Sequence, residues 1–255
     1  MSVGGRPSTR SITRNGVPSQ AVSGSRATTT GTGTSTIGVN FVNSGSVSVN
    51  QGGLTLSDSS THTGATLAGT GLLTFSSGTH ALDATTTLST ANVTFSAGTT
   101  TIAGTYNVSG TSTFSGGSVT LPATITSLGN ALVISGGTAD LGSNNASVTN
   151  FTQSGGTLTG SGTLTVAAGG SATISGGTMR GTGSTVLNAA ATFGNFTSLS
   201  LDEGRTLTFN AGATFNNNSF SLNPNNTGNA AAGRNNNAAT RPIADTGARG
   251  TGSGA

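Results

Sequence analysis

A six-residue motif returns along the middle of the chain at nearly constant distance. It reads TFSSGT from Thr74, TFSAGT from Thr94, TFSGGS from Thr113, VISGGT from Val133, TQSGGT from Thr152 and TISGGT from Thr173, with starts 20, 19, 20, 19 and 21 residues apart. Weaker echoes are VNQGGL from Val49 and TFNAGA from Thr208. A period near 20 residues marks a stacked-repeat architecture, and it leaves no room for the helix that usually connects parallel strands. On both sides of the glycine corner apolar residues alternate with period two, as in strands. Each unit therefore reads as strand, glycine corner, strand, and one unit per coil gives an all-β parallel β-helix, or β-solenoid, with coils of about 20 residues.

If coils stack at strand spacing, equivalent residues form columns. The position just before Ser holds Phe75, Phe95, Phe114, Ile134, Gln153 and Ile174, and the position three before Ser holds Leu73, Val93, Ser112, Leu132, Phe151 and Ala172. A third column, Leu82, Ile102, Leu121 and Leu141, follows the corner before Gly160 and Gly181 interrupt it. These are the expected interior. About seven coils at roughly 4.8 Å would give a rod on the order of 35 Å long.

Composition is consistent with such a chain and with little else. Gly supplies 42 of 255 residues and only 6% are charged, too few for an ordinary charged-surface enzyme, while the 32% apolar residues fall in the columns rather than at random. The pattern stops at both ends. Residues 1–36 are predicted to be a disordered basic Gly/Ser/Thr-rich segment, 37–222 the solenoid, and 223–255 a disordered Asn/Gly/Ala-rich tail, because neither end carries enough apolar surface to fold. Open coil ends without a capping helix predict self-association through those ends.

Charge excludes several functions. The formal net charge is +3, yet Arg6, Arg10, Arg14, Arg26, Arg234, Arg241 and Arg249 lie near the two ends, and residues 27–179 contain no Arg or Lys. The middle has no basic stripe to follow a phosphate backbone, so no nucleic acid partner is expected. The chain has no Cys, which removes disulfides, thiolate metal sites and Cys nucleophiles. Apolar stretches are a few residues long, so no membrane-spanning helix is expected, and the N-terminus lacks the apolar core of a signal peptide. No G-x-G-x-x-G occurs, and without Lys no Walker-type phosphate loop can form.

Chemistry is sparse, and the chain is expected not to be an enzyme and to need no cofactor. The adjacent acids Asp202 and Glu203, followed by Gly204 and Arg205, read as an exposed, locally paired turn rather than a glycosidase pair, since strand neighbours point to opposite faces. One cluster is a weak metal candidate. Asp58 and Asp83 both stand five residues after a corner glycine, Gly53 and Gly78, so they would share a column, with His62 and His80 near enough in sequence to complete a divalent-ion site. The residue after the corner glycine is Thr79, Thr99, Ser118, Thr138, Thr157 and Thr178, an unbroken hydroxyl column. Such a ladder admits ice binding as an alternative function, although Asp140 and Arg180 interrupt the second rank. Poverty in Trp and Tyr, none and one, removes the usual sugar-stacking platforms from a glycan-binding or glycan-degrading alternative.

The stretches SGGTLTGSGTLTVAAGGSATISGGTMRGTGSTV (154–186) and LDEGRTLTFNAGATF (201–215) resemble the degenerate repeats of bacterial surface proteins of the autotransporter-passenger and filamentous-haemagglutinin-like adhesin type. The resemblance covers about residues 39–222. It implies a right-handed helix, extracellular or cell-surface placement, and a structural or adhesive role with a surface or glycan ligand.

Overall fold

The computed structural model describes residues 22–29, 31–121, 124–194, 199–216 and 220–222, with the short strands Ser11–Ile12, Arg234–Asn237 and Ala244–Asp245. The described residues contain strands and no helix, and every strand pair whose register is resolved is parallel. The chain divides into two compact units, Met1–Gly129 and Asn130–Ala255, and each is a β-solenoid in its own right.

In the first unit the coil has three faces. One face stacks Thr34–Ile37, Gly53–Leu56, the end of Thr66–Phe75, the end of Thr87–Phe95 and the start of Thr111–Thr120. The second stacks the start of Phe41–Val49, Ser60–His62, Thr79–Leu82, Thr99–Ile102 and the end of Thr111–Thr120. The third stacks the remaining halves of the long strands, ending on Thr105–Val108 and Ile125–Leu128.

Register on the first face matches the expected columns. Leu54, Leu73, Val93 and Ser112 lie over one another, as do Leu56, Phe75, Phe95 and Phe114, and all are buried. Phe75 and Phe95 stack at 5.3 Å between ring centroids, and Phe95 and Phe114 at 5.0 Å. A parallel in-register ladder places like on like, so a Phe column becomes a ring stack with no further design.

The corner glycines are forced by backbone rather than by any ligand. Gly78, Gly98 and Gly117 have φ of 80°, 77° and 69°. A Cβ on Gly98 would strike the Gly78 carbonyl oxygen, and one on Gly117 the Gly98 carbonyl oxygen. Positive φ and close coil-to-coil approach both demand Gly there.

The second unit repeats the plan. Its first face carries Leu132, Phe151, Ala172, Ala191 and Ala213 in one inward column and Ile134, Gln153, Ile174, Phe193 and Phe215 in the next. Its second face stacks Thr138–Asp140, Thr157–Thr159, Gly177–Met179, Leu199–Leu201 and Phe220–Leu222. The repeat therefore continues through Phe193, a corner hidden in sequence because TFGNF lacks the Ser of the motif.

Four expectations about the frame are corrected. VNQGGL does not belong to the corner column: Gly53 pairs with Leu72, and the equivalent of TFSSGT is TLSDSS from Thr55. TFNAGA lies on the third face, where Thr208 and Phe209 pair with Val186 and Leu187. The ladder also begins before residue 37, since Val22–Thr29 pairs with Phe41–Val49 and Thr34–Ile37 with Gly53–Leu56. Strands there pair although they are rich in Thr and Ser, because an added coil satisfies its backbone on the coil beside it. Likewise Arg234–Asn237 pairs with Thr206–Phe209, inside the expected C-terminal tail. The remainder of the two segments expected to be disordered lies outside the described residues.

Candidate functional site

In the first unit, five buried polar side chains share the inward columns of the second face: Asn43, Ser60, His62, His80 and Thr100. Phe41, Ser60, His80 and Thr100 follow one another in one column, and Asn43, His62, Leu82 and Ile102 in the other. Alternation sends every second side chain of these short strands inward, so Ser60 and His62 of one strand and His80 of the next point into the coil. All three are fully buried, as is Asn43.

They form a directed hydrogen-bond chain. The Gly45 N–H donates to Asn43 Oδ1 at 3.0 Å, which turns Asn43 Nδ2 towards His62 Nδ1 at 3.2 Å. An amide NH2 only donates, so His62 Nδ1 accepts and its proton sits on Nε2. That N–H donates to Ser60 Oγ at 3.0 Å, leaving the Ser60 hydroxyl to donate to His80 Nδ1 at 2.8 Å. His80 Nε2 has no hydrogen-bond partner. Aromatic edges enclose the pair: Phe41 meets His62 at 5.7 Å and 79°, and Phe75 meets His80 at 4.9 Å and 65°.

Electrostatics keep both imidazoles neutral. Burial, with a smaller contribution from His80, lowers His62 to about 4. Burial also lowers His80, opposed by the Ser77 carbonyl and by the charge of Asp58. A Ser flanked by two neutral imidazoles has the elements of a nucleophile and base, but sealing inside the coil leaves no approach for a substrate.

The expected metal cluster is not assembled. Asp58 lies on the exposed outer loop and pairs with its own neighbour, its Oδ1 accepting from Ser59 N at 2.7 Å. Asp83 caps a separate turn, where its carboxylate accepts from Gly64 N, Thr85 N and the hydroxyls of Thr85 and Thr86. Those bonds, Thr86 first, hold Asp83 below the usual carboxylate range. The two acids do not share a column, because Gly53 pairs with Leu72 rather than standing in the column of Gly78, so that Asp58 follows Leu56 ahead of the second face while Asp83 follows Leu82 at its far end. Among the described residues no group of three or more His, Cys, Asp or Glu could hold a metal ion.

The acidic turn of the second unit is also rearranged. Asp202 and Arg205 are buried rather than exposed, while Glu203, in the left-handed region at φ 55°, reaches Arg180 at 3.8 Å. Arg205 crosses the coil interior. Its Nε and Nη2 donate to Thr185 Oγ1 at 3.3 and 3.0 Å, Nη2 to the Ser184 carbonyl at 3.1 Å, and Nη1 to the carbonyls of Gly160 and Arg180 at 3.3 and 3.5 Å. Burial pulls it down to about 10. It joins successive coils and offers no free donor to a ligand.

Sequence reasoning missed the relay. The columns Asn43–His62–Leu82 and Ser60–His80–Thr100 were visible only with the frame anchored on TLSDSS; the signal was there in the period-two spacing of Phe41/Asn43, Ser60/His62 and His80/Leu82. The outer hydroxyl column is as expected within each unit: Thr79, Thr99 and Ser118 pair in register and are exposed, and Thr138, Thr157, Thr178 and Ser200 pair in register and are half-buried.

No protein-family model, no curated protein and no solved structure matches the chain.

Proposed function

We propose that this chain is a non-catalytic structural segment of a bacterial cell-surface or secreted protein, a β-solenoid stalk with adhesive outer faces. The observation that carries the reading is the division of labour between inside and outside. The titratable groups able to do chemistry near neutral pH, His62 and His80, are fully buried and bonded to one another through Ser60, whereas the outer face presents an in-register hydroxyl ladder. Mechanical strength in such a fold comes from coil-to-coil backbone ladders repeated along one axis. Glycan or surface recognition would then rest on hydroxyls and backbone at loop edges. A panel of surface polysaccharides incubated with the purified protein tests this: retention on a polysaccharide without release of reducing ends supports it, and release of reducing ends overturns it.

A second reading has one observation of its own. Asp140 and Arg180, which interrupt the outer rank, both belong to the second unit. In the first unit the paired ranks Thr79/Thr99/Ser118 and Ala81/Thr101/Thr120 carry no charge over three coils. Ice binding by that face would register as thermal hysteresis.

A further inference from the structure

We propose that the Asn43–His62–Ser60–His80 chain is an acid-sensitive latch that holds the second face of the first unit closed at neutral pH and opens it in mild acid. The proposal stands first on geometry. Asn43 Nδ2 sits 3.2 Å from His62 Nδ1, and its amide cannot turn over without giving up the Gly45 N–H that Oδ1 accepts. A proton added to His62 Nδ1 therefore meets another donor. On the other side His62 Nε2 already donates to Ser60. Protonating His80 on Nδ1 removes the acceptor of the Ser60 hydroxyl in the same way. Each protonation breaks a buried bond and leaves an unpaired donor, a costly outcome in a sealed interior.

The surroundings supply no compensating charge inside. His62 and His80 are packed by Phe41 and Asn43 of one strand, by Phe75, and by Thr100 and Leu82 of their own face, none of which titrates in this range. Between residues 27 and 139 the charged side chains are Asp58 and Asp83 alone. Asp58 lies on the outer loop and favours the His80 cation. Asp83 is occupied by Gly64, Thr85 and Thr86, with the Thr86 hydroxyl also bonded to the His62 carbonyl at 3.0 Å.

The sign follows from linkage. With His62 lowered to about 4 and His80 lowered also, the open state binds more protons than the closed one below the ordinary imidazole range. Closure is thus fully favoured above about pH 6.5 and weakens as pH falls towards 4, by about tenfold per pH unit for each proton taken up.

Hydrogen exchange on the full chain, corrected for intrinsic rates, tests the latch between pH 7 and 4.5. Protection of segments 41–43, 60–62 and 79–82 should fall by at least about tenfold relative to segments 158–166 and 185–193, and return on neutralisation. The double variant H62Q/H80N keeps hydrogen-bonding groups at the latch without a titrating ring and should flatten that dependence. Equal pH dependence in the two sets of segments, or an undiminished slope in the variant, overturns the proposal. A readout without mutation covers a variant that fails to fold. The chain has two histidines in all, so imidazole nitrogen NMR reports this pair alone. Rings that stay neutral until protection is lost support the latch; rings that titrate near 6.5 with protection intact overturn it.

Discussion

Phe95 lies on Phe75 with ring centroids 5.3 Å apart and planes within 8° of parallel, two residues 20 positions apart in the chain brought to a single column by one turn of the solenoid. The same column receives Phe114 at 5.0 Å. Phe95 is therefore the middle ring of three, with a neighbour on each face.

Removing that middle ring should be more damaging than removing a terminal one. Phe95→Ala is expected to cost about 3–5 kcal/mol by lost burial and the cavity left behind, and Phe95→Asp should unfold the surrounding coils outright. Urea unfolding followed by circular dichroism checks both; an F95D protein with unaltered β signal and midpoint would show that the column does not carry the core.

Glycine substitutions separate conformational strain from collision. Gly98 has φ 77° and its added Cβ would strike the Gly78 carbonyl, whereas Gly169 has φ 81° with no atom within 4 Å of an added Cβ. Gly169→Ala should cost about 1–2 kcal/mol, the penalty for the left-handed region alone. Gly98→Ala should cost distinctly more, and equal midpoints in denaturant for the two variants would contradict the close coil approach.

Arg205→Met should destabilise the second unit by about 2–3 kcal/mol, since it strips donors from Thr185 and from the carbonyls of Gly160 and Ser184 inside the coil. Arg205→Lys should recover only part of the loss, because an ammonium cannot reproduce the planar fork that reaches these acceptors. Denaturant midpoints with hydrogen exchange at residues 184–187 measure it.

Asp83→Asn should abolish an acid dependence that has the same sign as that of the histidines but lies at lower pH. The Asp83 carboxyl is held below its usual range by Thr86 and Thr85, so its contribution is present above about pH 4 and lost as pH falls further. In the wild type, exchange at Gly64 and Thr85 should accelerate below about pH 4; in D83N the same amides should be less protected at pH 7 and insensitive to acid in that range.

Particular residues show what was readable beforehand. The columns Leu73/Val93/Ser112 and Phe75/Phe95/Phe114, and the outer ladder Thr79/Thr99/Ser118, were legible because the motif repeats with its apolar positions in phase. Phe193 escaped because its corner carries Gly194 without the neighbouring Ser. The histidines escaped for a different reason. Two glycines at 52 and 53 imitate a corner, and the frame drawn from them set Asp58 beside Asp83 and made His62 and His80 candidate ligands beside those acids.

The amino-acid sequence by itself determined the period of about 20 residues, the parallel stacking and the identity of most core columns, since a parallel ladder at strand spacing can only lay equivalent residues on one another. Tertiary structure decided which side of the wall the polar residues occupy. Alternation gives side only relative to a known neighbour, and the neighbour of Gly53 is Leu72 rather than Gly78, so a frame anchored on that glycine assigns the residues after it to the wrong partners. The pairing of Phe41 with Ser60 and His80, and of Asn43 with His62 and Leu82, is what turns His62 and His80 into the coil to meet Ser60 and Asn43, and it leaves Asp58 and Asp83 at opposite ends of the second face.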